Sequence, residues 1–102
     1  MNVYQKAQEI LKERGWCQYA YQEDGRVCVA TAIHYAAGGE PIEEDWFIND
    51  QHNTIHNGPG EKAIQDFIAE NSGVSAEGIN NDCESVERLL EMLNIKEQSD
   101  GL

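Results

Sequence analysis

The sequence predicts a mostly α-helical domain, a compact bundle of about four helices with a small β-hairpin after the first. Three observations carry that prediction. Apolar residues recur at three- and four-residue spacing in several segments, as helices with one buried face require. Residues 16–29 instead concentrate strand formers around the turn-forming run Glu23-Asp24-Gly25. With 102 residues, the chain has the length of one domain. That domain is expected over residues 1–96, with 97–102 as a frayed tail.

Val3, Tyr4, Ala7, Ile10 and Leu11 form the stripe of a first helix over 3–14, with Asn2 as its N-cap and Gly15 just past its end. Trp16, Tyr19, Tyr21, Val27 and Val29 then predict a hairpin over about 16–29. An isolated hairpin is marginal in water, so it must lie on the helices. Residues 28–37, CVATAIHYAA, are small or apolar nearly all round, which predicts a buried, central second helix ended by Gly38-Gly39.

Pro41 is a favourable first helical residue, so a short helical turn is expected between Glu40 and Phe47. Residues 49–60 read as a polar loop closed by Gly58-Pro59-Gly60. A third helix over about 61–70 buries Ala63, Ile64, Phe67 and Ile68. Residues 74–81 read as a connector anchored by Ile79. A last helix begins near Asp82, with Asp82 as its cap and Val86, Leu89, Leu90 and Leu93 on its stripe. Glu84 and Arg88 are spaced for an i,i+4 pair. The expected core is Trp16, Ile33, Ile64, Phe67, Ile79, Leu89 and Leu90.

The net charge of −12 is uneven. Residues 1–39 balance to zero, whereas 40–102 hold three basic residues against fifteen acidic ones. Such a chain repels phosphate backbones, so no direct nucleic-acid or anionic-membrane binding is expected. An acidic face can instead meet a basic protein. No run approaches 18 apolar residues, which excludes a membrane-spanning helix. The charged, interrupted start MNVYQKAQEILKER does not resemble a signal peptide, so a cytoplasmic location is expected. Three cysteines, Cys17, Cys28 and Cys83, without a secretion signal predict free thiols.

Four constellations bear on chemistry. Cys28 stands where the second helix begins, and a thiol at a helix N-terminus gains thiolate character. A cysteine hydrolase or transferase would use it as nucleophile, with His52 or His56 as base. His34, on the same helix, projects away from it. The plainer reading makes Cys28 a small buried hydrophobe. His52 and His56 lie four apart, but the intervening Asn53 and Thr54 disfavour a helix and no zinc motif surrounds them, so no metal and no cofactor are expected. Glu43, Glu44, Asp45 and Asp50 beside Trp46-Phe47 form a candidate acidic–aromatic recognition patch. Asn81-Asp82 could be buried against Gln18 and Arg26, with an Arg26–Asp82 ion pair tying the two ends of the domain together.

Residues 14–38 also carry a family pattern. Gly15-Trp16-Cys17-Gln18, Asp24-Gly25-Arg26 and Cys28-Val29-Ala30-Thr31-Ala32, followed later by Asn81-Asp82 and Val86-Glu87-Arg88-Leu89-Leu90, resemble the signature of DUF6197, small actinobacterial and actinophage proteins of unknown function. The chain departs from that pattern at Tyr19, Thr31 and Asn80, where the family favours Gly, Gly and Trp. The resemblance implies a phage or phage-derived origin and brings no activity with it.

The function expected from all this is a non-enzymatic interaction protein acting in the bacterial cytoplasm. Its partner would be a host protein, or a sequestered small molecule in a hydrogen-bonding pocket near Gln18, Arg26, Thr31 and Asp82. A homo-oligomer is compatible with the sequence. The rival is the Cys28 enzyme.

Overall fold

The computed structural model describes residues 2–48 and 54–100. Among them the elements run α1 (Val3–Arg14), β1 (Ala20–Glu23), β2 (Arg26–Val27), α2 (Val29–Ala36), β3 (Trp46–Phe47), a 3-10 turn (Thr54–Asn57), α3 (Glu61–Glu70), α4 (Ala76–Asp82) and α5 (Val86–Asp100). The fold is mostly α with a minor sheet, and the described residues hold five α-helices where four were expected. None is long and apolar enough to cross a membrane.

The helix ends follow local chemistry. Asn2 accepts a hydrogen bond from the Gln5 N–H at 3.0 Å, capping α1, and Gly15 ends it at φ 91°. The additional helix is α4, within the expected connector. Ser75 starts it by accepting from the Gly78 N–H at 3.1 Å, and Ala76 and Ile79 bury its inner side. Asp82 therefore closes α4 rather than capping the last helix. Ser85 takes that role, accepting from the Arg88 N–H at 3.3 Å. Arg88 pairs with Glu91 at 3.5 Å, not with Glu84.

The sheet has the order β2-β1-β3 and is antiparallel throughout. The hairpin turn lies at Asp24-Gly25, and both residues have positive φ. The helical turn expected between Glu40 and Phe47 is absent. Trp46 and Phe47 instead form β3, paired with Gln22 and Ala20 across an irregularity in register. Backbone donors and acceptors left open on β1 outweighed the weak helical preference after Pro41.

Helix α2 is the centre, packed against α1, α3, α4 and β1. Val29 to Ile33 are fully buried, because small side chains let the neighbouring elements approach. Ile33, Ile64, Phe67, Ile79 and Leu89 are buried as expected, while Trp16 and Leu90 are half-buried against the same core. The Tyr4 hydroxyl donates to the Ala63 carbonyl at 2.9 Å, joining α1 to α3. Gln8 Nε2 donates to Glu97 Oε1 at 2.8 Å, joining α1 to α5.

Candidate functional site

At the N-terminal end of α2, Asn80 is completely buried. Its Oδ1 accepts from Trp16 Nε1 at 2.7 Å and from the Val29 N–H at 2.9 Å. Its Nδ2 donates to the Cys17 carbonyl at 3.0 Å and to Asn81 Oδ1 at 3.4 Å. One side chain thus ties the hairpin, α2 and α4 together, and covers a free amide of the helix start. Gln18 completes the joint, its Nε2 donating to the Asn81 and Cys83 carbonyls at 3.0 Å each at the end of α4.

Cys28 lies under this joint with no exposed surface. Its Sγ is 3.4 Å from Thr31 Oγ1, and the Thr31 side chain is buried with it. Burial pushes the Cys28 thiol up, although the Thr31 hydrogen bonds oppose this. Burial likewise pushes Cys17 up to about 12 and raises Cys83. A nucleophile needs the opposite, an open cleft and a depressed pKa. His34 Nε2 bonds the Glu40 carbonyl at 2.9 Å and His56 Nε2 meets Glu77 Oε1 at 2.9 Å, so both are engaged elsewhere. His52 and Asp50 lie outside the described residues.

The four residues of the expected pocket do not surround one cavity. Gln18 caps α4, and Thr31 is sealed in the core. Arg26 is exposed and pairs with Glu23 at 3.5 Å and Asp24 at 4.0 Å. Asp82 is exposed at the end of α4, beside a separate groove with Cys83, Glu84 and Arg88. The Arg26–Asp82 pair is thus replaced. Arg26 takes its nearest carboxylates, and the tie between hairpin and α4 runs through Asn80, Asn81 and Gln18. Among the described residues no three His, Cys, Asp or Glu side chains are placed to hold a metal ion.

Besides that groove, two open surfaces stand out among the described residues. The first is the sheet edge, where Tyr19 and Phe47 are 66% and 48% exposed and line one shallow depression with Ile48 and Asn81. Tyr19 adopts φ 64°, held by its N–H donating to Asn81 Oδ1 at 2.8 Å and its carbonyl accepting from the Ile48 N–H at 3.1 Å. Glu43, Glu44 and Asp45 are exposed just upstream of Phe47. Asp45 Oδ1 accepts from the Asp24 N–H at 3.1 Å, which fixes the acidic run against the hairpin turn.

The second is a cavity of about 420 Å³ between the end of α2 and the 40–48 segment, lined by His34, Ile42, Trp46, Ile55 and two prolines. The segment is held in place by α2 and β1. Gln22 Nε2 donates to the Ile42 carbonyl at 2.6 Å, and the Ile42 N–H donates to the Tyr35 hydroxyl at 2.8 Å. The Tyr35 hydroxyl in turn donates to Gln22 Oε1 at 2.7 Å. Trp46 packs on Tyr21 with ring centroids 4.6 Å apart.

Tyr21, Glu77 and His56 form a half-buried chain nearby, the Tyr21 hydroxyl donating to Glu77 Oε2 at 3.2 Å. The Glu77 hydrogen bond raises the His56 pKa against its own burial. Burial works to raise Glu77, but its bonds to His56 and Tyr21 prevail and hold it below the usual carboxylate range. The joining of Tyr21, Glu77 and His56, the fastening made by Asn80 and the cavity around His34 were not read from the sequence, where Asn80 figured only as a departure from the family pattern and His56 as a candidate base. Only the apolar neighbours of Asn80 on α4 offered a signal, because an Asn inside a turn-like run reads as a turn residue.

A model of the family of unknown function DUF6197 matches residues 1–88 of the chain. The chain belongs to that family. No curated protein and no solved structure matches it.

Proposed function

We propose that this DUF6197 member is a non-enzymatic interaction protein, phage-encoded and acting in the bacterial cytoplasm, that docks a basic host protein on the outer edge of its sheet. The phage origin follows the family resemblance alone. The docking is supported by one observation. Tyr19 and Phe47 are presented together to solvent, and the exposed run Glu43-Glu44-Asp45 leads into Phe47 from the hairpin-turn end of the sheet. Aromatic side chains are enriched among the anchors that dominate binding energy, and flanking charge sets partner choice and association rate. Residues 40–102 carry the entire net charge, so a basic surface is the complement. The burial of Cys28 and its raised pKa speak against the enzyme reading.

The test is a native mass spectrum of the protein gently purified from the cells that produce it, followed by affinity measurement on the partner found. The expected result is a stoichiometric basic protein. Phe47→Ser should weaken its binding at least tenfold, and Glu43→Gln with Glu44→Gln and Asp45→Asn should flatten its salt dependence. A bare protein, or a partner indifferent to both variants, would remove the reading.

A further inference from the structure

The cavity at the end of α2 and the acidic run meet along one stretch of chain. The cavity, about 420 Å³, shares Glu40, Pro41, Ile42 and Trp46 with an adjoining open depression of about 610 Å³. The two halves differ in character. To the shared wall the cavity adds Ile55 and Pro59, with His34 and Gly58 behind them, and is largely apolar. The depression adds Glu43, Glu44 and Asp45.

The charge of this wall is uncompensated. Glu40, Glu43 and Glu44 are exposed, and among the described residues none of the three is in an ion pair. The shape, by contrast, is fixed. Gln22 and Tyr35 bond the Ile42 backbone, Asp45 Oδ1 accepts from the Asp24 N–H, and Trp46 packs on Tyr21. An occupant therefore need not bear the cost of ordering the segment.

These two halves together select the occupant. Carboxylates of one sign exclude an anion. A neutral apolar group would leave them uncompensated, and a small hydrated cation would leave Ile42, Trp46 and Ile55 uncovered. A lysine or arginine side chain meets both needs, because its methylene stem covers apolar surface while its head stays among charges and water.

We infer that the adjoining hollows receive a lysine or arginine side chain of the partner, its stem against Trp46, Pro41 and Ile42 and its charged head among Glu40, Glu43 and Glu44. This rests on the docking of a basic protein proposed above and names the anchor that the partner brings, on the opposite side of β3 residue Trp46's neighbour Phe47 in sequence only; the hollows and the Tyr19–Phe47 depression have no lining residue in common.

Three probes separate stem from charge. N-acetyl-lysine methylamide carries both; N-acetyl-norleucine methylamide keeps the stem without the ammonium; methylammonium keeps the charge without the stem. Each is titrated into the isotope-labelled full chain at constant ionic strength and followed by nuclear magnetic resonance. The lysine compound should bind saturably and shift the signals of Ile42, Trp46 and Ile55, and the other two should bind at least fivefold more weakly. Glu40→Gln with Glu44→Gln changes only exposed side chains, so the fold should persist. It should weaken the lysine compound at least threefold and leave the norleucine compound unchanged. Absence of saturable lysine binding, shifts that map to another acidic face, or equal binding of lysine and either control would each overturn the anchor. So would indifference to the double substitution. The titration uses the protein alone, so its failure removes the anchor while the docking reading still stands or falls on the partner and its response to Phe47→Ser.

Discussion

Helix α2 meets a buried polar side chain at each end, and the two are satisfied to different degrees. At its N-terminus Asn80 fills all four of its hydrogen-bonding positions. At its C-terminus His34 fills one of two ring positions. The difference follows from what the chain places beside each end. A helix start offers free N–H groups, so the Asn80 oxygen finds the Val29 amide there. Past the other end, the loop carbonyl of Glu40 meets the His34 Nε2, and among the described residues nothing is placed to bond its Nδ1. The first end is thereby a fastening, and the second is a sealed contact with one ring nitrogen unmatched among the described residues.

The largest expected effect contrasts the two ends directly. Asn80→Leu keeps the volume but leaves the Val29 amide and the Cys17 carbonyl unmatched in the core and the Trp16 indole N–H short of its acceptor. The cost should be about 3 kcal/mol, since Trp16 is half-buried and recovers some hydration. His34→Leu removes a bond to a carbonyl but also removes the unmatched Nδ1, so its cost should be about 1 kcal/mol or less. Urea denaturation of both variants measures the gap. Equal losses would break the comparison, because they would mean that both ends serve stability alike.

What could be read in the sequence follows the same division between periodic and singular features. The stripes of α3 and α5 and the small-residue run of α2 repeat along the chain, so residues such as Ile33, Phe67 and Leu89 were assigned to the core correctly. The hairpin announced itself through strand formers on both sides of Asp24-Gly25. Strand β3 has two residues and exists only because β1 has an open edge, which no local pattern encodes. Helix α4 includes Gly78, Asn80 and Asn81, poor helix formers; its Ser75 cap, its buried Ile79 and the Gln18 side chain at its end hold it. At the candidate site, Cys28 was correctly placed at a helix start, but whether that start faced solvent depended on Asn80, which is far away in sequence. The exposed run Glu43-Glu44-Asp45 was legible as charge, while its place at the hairpin turn, and that of Phe47 near Tyr19, depended on β3.

A third polar contact, the half-buried one between His56 and Glu77, sharpens the comparison by adding charge. His56 is raised, so its contribution is complete below its ordinary value of about 6.5 and is lost as pH rises through the raised one. Glu77 is lowered, so its contribution is present above about 4.5 and is lost as pH falls through the lowered value. The pair therefore stabilises most between about pH 4.5 and 6.5. The stability difference between wild type and Glu77→Gln should be largest in that window. It should shrink by on the order of 1 kcal/mol by about pH 8.5, read from denaturation curves at each pH. The Asn80→Leu deficit should not follow that curve, because the asparagine does not titrate. If both deficits moved together with pH, the His56–Glu77 contact would not be an independent fastening.

The smallest effect in stability tests what the open side of the molecule is for. Tyr19 holds a left-handed backbone at φ 64° with its ring 66% exposed, an arrangement that glycine accepts without strain and that tyrosine resists. The resemblance to DUF6197 places glycine there as the family's usual residue. Tyr19→Gly relieves the conformation and gives up little packing, so it should leave the protein equally stable or more stable by about 0.5–1 kcal/mol. The Asn81 bond to the residue 19 amide involves only backbone at that position and survives the change. A side chain kept at the expense of folding stability has its use outside the fold, and the proposed use at the sheet edge is contact with a partner. Tyr19→Gly should accordingly weaken the partner found by native mass spectrometry about tenfold while the melting temperature holds or rises. A melting temperature that fell by several degrees would mean instead that the Tyr19 ring is part of the packing, and the sheet edge would then join Asn80 on the structural side of the comparison.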